Sequence, residues 1–120
     1  MDQSIKLLLI DDSPDDRTLA IRALHETLPQ VDVVEVSDGV GLTSAIAAGG
    51  FDAAVVDYLL RWSDGITVLR DLKEQEPELP VVMFTGSGSE DLAVEAMKSG
   101  LDDYLVKTPG NYGRLPTVVV

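Results

Sequence analysis

Five short apolar runs, each separated from the next by a stretch with helical signals, limit what this chain can fold into more than any other feature. Residues 5–10 form a run broken only by Lys6, and it ends at Asp11 and Asp12. Residues 31–36 form a second, interrupted by Asp32 and Glu35, which suits a sheet edge better than its middle. Ala53, Ala54, Val55 and Val56 make a third with no polar residue at all, the pattern of a strand buried on both faces, and Asp57 follows directly. Residues 80–84 and 104–106 complete the set and end at Thr85 and Lys107.

The intervening stretches carry helix signals. Ser13 can cap a helix whose first residue is Pro14, with Asp15 and Asp16 at the positive end of its dipole, and Pro29 stops it after Leu28. Because Ser13 serves as the cap, Asp11 and Asp12 are not needed for that role. Gly49 and Gly50 close a second helix over residues 38–48, a third spans about 64–75, and Ser89 can cap a fourth that Gly100 terminates. Residues 86–89 between them read as a flexible loop. Strand and helix in alternation predict a parallel sheet covered on both faces, because right-handed crossovers lay a helix across the sheet at each step. With the charged second strand at one edge, the expected order is the flavodoxin-like 2-1-3-4-5. That order places the first and third strands side by side and brings Asp11, Asp12 and Asp57 to one mouth, with Thr85 and Lys107 on the next two strand ends. In open α/β sheets this carboxyl edge is where ligands bind.

Two carboxylates about 4 Å apart repel by roughly 4 kcal/mol at an effective dielectric of 20, so such a trio calls for a cation. Oxygen-only ligands suit Mg2+, with Mn2+ as a second choice. A carboxylate oxygen left over can attack phosphorus, a lysine can neutralise phosphoryl oxygens, and a threonine hydroxyl can bond one of them. Taken singly, each residue has an ordinary explanation: Asp11 and Asp12 as turn residues, Thr85 as a loop hydroxyl, Lys107 as a solvated lysine, Tyr104 as packing, His25 as a surface residue.

Composition removes several classes of function. The 120 residues carry a formal net charge of −12, which disfavours direct contact with a phosphate backbone. Without cysteine and with one histidine there is no disulfide framework, thiolate site or histidine cluster. No apolar run approaches the roughly 20 residues of a membrane span, and the N-terminus has no signal-peptide pattern, so a cytoplasmic location without membrane insertion is expected.

Together, Asp11-Asp12, Asp57, Asp64-Gly65, Thr85-Gly86 and the run Gly100, Asp103, Tyr104, Lys107 resemble the receiver domain of two-component response regulators, over nearly the whole chain. The resemblance implies a CheY-like α/β domain in which Asp57 is the phosphoacceptor. Asp11, Asp12, Asp57 and the backbone carbonyl of Leu59 form the metal site by the same resemblance. It makes Lys107 and Thr85 the phosphoryl-contacting pair, and Thr85 and Tyr104 a switch in which the ring turns inward. Implied partners are a histidine kinase or a histidine phosphotransfer protein, and a fused output or kinase domain.

Several residues depart from the family pattern. Arg61 stands where proline is frequent, Leu101 where alanine is usual, and Thr108 separates Lys107 from Pro109, which leaves the peptide isomer after Lys107 open. Residues 115–120 leave the family's fifth helix truncated or incomplete, which suggests a piece of a longer protein and an apolar patch that could support a homodimer. Leu59 and Ser87 lie where family members tune water access, and slow self-dephosphorylation is expected. Two other readings are a degenerate receiver that only docks partners, and a small Mg2+-dependent phosphatase. The intact acidic and basic set opposes the first, and Leu59 in place of a second acid or base opposes the second. Binding of a flavin phosphate is opposed by Asp11 and Asp12.

Overall fold

The computed structural model describes residues 4–86 and 89–119. Five strands, β1 (Lys6–Ile10), β2 (Asp32–Val36), β3 (Ala53–Val56), β4 (Val81–Thr85) and β5 (Asp103–Val106), form one parallel sheet in the order β2-β1-β3-β4-β5. Four helices connect them: α1 (Pro14–Thr27), α2 (Gly39–Ala48), α3 (Gly65–Gln75) and α4 (Glu90–Lys98). Two single turns, α5 (Pro109–Tyr112) and α6 (Leu115–Val118), follow β5. The expected order and the edge position of β2 are both present, and β3, buried at every residue, lies at the centre.

Successive strand side chains point to opposite faces, so the sheet divides its apolar residues between two cores. Leu8, Ile10, Ala54, Val56, Val81 and Met83 pack on one side with Ile66, Leu69 and Leu72 of α3 and Leu92 of α4. Leu7, Leu9, Val55, Val82 and Phe84 pack on the other with Ala20 and Leu24 of α1 and with Leu115 and Val119 near the end of the chain. Leu115 is fully buried, so the short terminal turns cover part of the second face. The Phe84 and Tyr112 rings meet edge-on at 4.9 Å there.

The helix starts follow from their caps. The Ser13 hydroxyl accepts from the Asp16 amide at 3.3 Å, the Asp38 carboxylate from Gly41 at 2.7 Å, Asp64 from Thr67 at 2.9 Å, and the Ser89 hydroxyl from Leu92 at 3.1 Å. Asp38 and Asp64 lie just outside the helices rather than inside, a one-residue difference from the sequence boundaries. Among the described residues no peptide bond is cis, which settles the isomer after Lys107 as trans. No helix among the described residues is long and apolar enough to cross a membrane.

Asp102 ties three elements together before β5 begins. Its carboxylate accepts from the Lys73 ammonium and from the Val81 amide, both at 2.8 Å, while Lys73 also donates to the Leu79 carbonyl. Burial alone would raise the Asp102 pKa, but these donors outweigh it and hold the carboxyl below its ordinary value. A depressed folded-state pKa contributes stability that is present above the unfolded value of about 3.9 and lost as pH falls through the folded one. In urea titrations, Asp102→Asn is therefore expected to be less stable than the parent at pH 7, with the gap closing as the pH falls below the ordinary carboxyl range. A gap that stays constant would show that the charge of Asp102 contributes nothing.

Candidate functional site

The site forms where the sheet's hydrogen-bond ladder runs one residue past the strands. The Asp11 amide donates to the Val36 carbonyl at 3.1 Å, Asp57 to Ile10 at 2.9 Å, and Lys107 to Thr85 at 3.0 Å. The backbone of each of these three residues is thereby fixed by the neighbouring strand. Rigid anchoring of this kind is what a preorganised site requires.

The side chains converge on one ammonium group. Lys107 Nζ lies 2.6 Å from Asp11 Oδ2, 2.8 Å from Asp16 Oδ2 and 2.8 Å from Asp57 Oδ2, so each of its three N–H bonds has a carboxylate partner. The lysine side chain is only 8% exposed. Burial opposes its charge, yet the three carboxylates dominate and raise its pKa above the ordinary lysine value. Asp11 is pushed the other way from a usual paired acid: burial raises its pKa, and hydrogen bonds from Lys107 and the Ser13 amide only partly offset this.

Asp11, Asp16 and Asp57 each place a carboxylate oxygen within 4.8 Å of the other two. Three carboxylates against one ammonium leave two negative charges in a partly buried space. Asp57 Oδ2 is held by the lysine, whereas Asp57 Oδ1 is buried and has no hydrogen-bond partner among the described residues. An orphaned buried carboxylate oxygen beside excess negative charge, with oxygen as the only donor type, fits a hard divalent cation.

The sequence-predicted residues do not all meet. Asp11, Asp57 and Lys107 are in direct contact, and Thr85 is fully buried on the adjacent strand end. Asp12 lies outside the three-carboxylate group: its Oδ2 accepts from the Arg61 amide at 2.7 Å and ties β1 to the loop after β3. Leu59 exposes 61% of its surface on that loop, and the Gly65 amide donates to the Tyr58 carbonyl rather than to that of Leu59. The Tyr104 hydroxyl is already buried and has no hydrogen-bond partner among the described residues, although the Ser89 backbone lies near. Burial, with a smaller push from Asp57, raises its pKa. Ser87 lies outside the described residues.

Asp16 was legible only as a residue of the first helical turn. The signal that could have found it is the early helix start at Pro14, which brings the first turn of α1 back over the carboxyl edge of β1. Trp62 lies on the loop after Asp57. Its ring packs on Gly39 at the start of α2, where an added Cβ would lie 3.5 Å from it.

Comparison with known proteins follows the same lines. Residues 7–118 match the family profile described as the response regulator receiver domain. The chain is 35% identical over 103 residues to the transcriptional regulatory protein TcrA of Mycobacterium tuberculosis, covering 86% of this chain and 40% of that protein. It is 31% identical over 105 residues to the chemotaxis protein CheY of Pseudomonas aeruginosa, covering 86% and 84% respectively. Among solved structures, the phosphorylated cyanobacterial phytochrome response regulator RcpA superposes with a TM-score of 0.81 at 25% identity, covering 98% of this chain and 89% of that one. The chain spans less than half the length of TcrA, and 22% of the C4-dicarboxylate transport regulator DctD of Pseudomonas aeruginosa, to which it is 37% identical. With its sheet order, its carboxylate cluster and its strand-end lysine, this chain belongs to the response regulator receiver domain family.

Proposed function

We propose that the chain is the phosphoacceptor of a cytoplasmic phosphorelay, with Asp57 as the nucleophile. The observation that carries this reading is the division of labour within one carboxylate: Oδ2 is held by Lys107 while Oδ1 is unengaged. In the transfer, an Asp57 oxygen forms a bond to phosphorus and the P–N bond of a donor phosphohistidine breaks. The leaving imidazole keeps the electron pair and takes up a proton. Lys107 neutralises phosphoryl oxygens, and the Thr85 hydroxyl bonds one of them.

A Mg2+ ion, or Mn2+ in its place, would be held by Asp11 and Asp57, with Asp12 and the Leu59 carbonyl as further ligands by family resemblance. It would supply charge neutralisation where the anionic donor approaches an acidic site. Thr85 and Tyr104 then form the switch. Because the Tyr104 hydroxyl is buried already, phosphorylation shifts a population towards an inward state that the unphosphorylated protein also visits. The chain catalyses only its own phosphorylation and dephosphorylation. Its donor is a histidine kinase or phosphotransfer protein, and its readout is a fused output or kinase domain. The regulators TcrA and DctD, much longer than the matched region, support the fused arrangement. Exposed Leu59 offers no polar group to guide an attacking water, in keeping with slow phosphoryl loss.

Trp62 is the single tryptophan and lies five residues beyond Asp57. Its fluorescence is expected to change on adding Mg2+ and again on adding acetyl phosphate. In Asp57→Asn the first response persists, weakened, and the second disappears. A second response that survives in Asp57→Asn would sink the assignment of the acceptor.

A further inference from the structure

Asp16 has a contact that its place in the sequence does not explain. An acid in the first turn of a helix ordinarily faces water and complements the dipole. Here Asp16 Oδ2 instead lies 2.8 Å from an ammonium that is almost wholly buried and belongs to a residue 91 positions away. The other two carboxylates on Lys107, those of Asp11 and Asp57, are the ones proposed to take the metal and the phosphoryl group.

Once a divalent cation draws on Asp11 and Asp57, Lys107 loses part of its hold on both and is repelled by the new charge. Asp16 is the carboxylate left to it. The Asp16 side chain, 35% exposed on the helix rim, is also the one of the three not locked at a strand end. We infer that Asp16 is a positioning residue: it keeps the Lys107 ammonium beside Asp57 when a metal draws on the other two carboxylates, so that the lysine is in place for the incoming phosphoryl group. This rests on Asp57 being the acceptor.

The test combines a spectroscopic signature with kinetics. Lysine 15N labelling, with Lys107→Met to assign the signal, reports whether the Lys107 ammonium protons are protected from exchange. Without metal, the signal is expected in the parent, in Asp16→Asn and in Asp16→Glu, because Asp11 and Asp57 still hold the lysine. With Mg2+ alone it is expected in the parent, lost in Asp16→Asn and restored in Asp16→Glu. With acetyl phosphate as donor, kcat falls about tenfold in Asp16→Asn while KM changes by less than about twofold, the effect of losing one charge-assisted hydrogen bond on the reacting state. A signal that persists in Mg2+-loaded Asp16→Asn, or a rate equal to the parent's, overturns the role of Asp16. A parent that takes up no phosphoryl group instead overturns the reading of Asp57, and the ammonium signal in Mg2+ alone then still decides Asp16.

Discussion

Replacing Lys107 with methionine is expected to cost the metal-free protein about 3 kcal/mol at neutral pH, the low end for removing one partner of a buried ion pair. Methionine preserves most of the apolar stem, so the loss isolates the charge. It leaves Asp11, Asp16 and Asp57 within 4.8 Å of one another with no counter-ion. The low end applies because Asp16 can turn towards water, its side chain being 35% exposed. Urea titrations in a chelator measure the deficit, and adding Mg2+ should recover most of it by binding the folded state alone.

The pH dependence has a definite sign. Lys107 has a raised folded-state pKa, so its contribution is fully present below the unfolded value of about 10.4 and is lost only as pH rises through the folded one. From neutral to mildly alkaline pH the deficit of Lys107→Met is therefore constant. Asp11 has a folded pKa raised by burial, and it rises further without the lysine; protonation on acidification then removes the repulsion, so the deficit shrinks. Equal urea midpoints for parent and variant in chelator at pH 7 would refute this account of what the lysine does.

Gly65→Ala is expected to destabilise the fold by about 2 kcal/mol and to reduce phosphoryl uptake by more than about tenfold. On helix propensity alone the change should stabilise, since alanine is favoured over glycine by about 1 kcal/mol inside a helix. Space decides otherwise. A Cβ at position 65 would lie 2.6 Å from the Asp57 carbonyl oxygen, 2.8 Å from Tyr58 Cα and 3.0 Å from the end of Met83. The methionine can move, but the first two contacts are backbone. Relief requires shifting either the start of α3 or the segment that carries Asp57. The same approach brings the Gly65 amide to the Tyr58 carbonyl at 2.9 Å, a bond that closes the loop after β3. Urea titration and label transfer from acetyl phosphate check the two effects separately. A variant as stable as the parent with full uptake would mean that the close approach is not needed.

Much of this architecture was legible because its signals are local. The unbroken Ala53 to Val56 run has the pattern of a strand buried on both faces, the charges at Asp32 and Glu35 suit an edge, and the sheet places them so. Ser13 and Ser89 carry their capping chemistry within three residues, whereas Asp38 and Asp64, read as the first residues of their helices, are caps in the fold. Asp11, Asp57, Thr85 and Lys107 could be placed at one mouth because strand ends in a parallel sheet necessarily share an edge. Asp12 and Asp16 were not legible in this way. Both are acids near the same turn, yet one accepts from the Arg61 amide and the other reaches Lys107.

What the sequence determined by itself was the order of elements, the sheet they build and the rim at which the acids gather, since apolar period, caps and turns act over a few residues. What only the tertiary structure decided was which oxygen meets which partner: Asp16 rather than Asp12 on the lysine, Asp57 Oδ1 left unpaired, Gly65 pressed against the Asp57 backbone. These choices depend on side-chain rotamers set by residues up to 96 positions apart, and no local pattern encodes them.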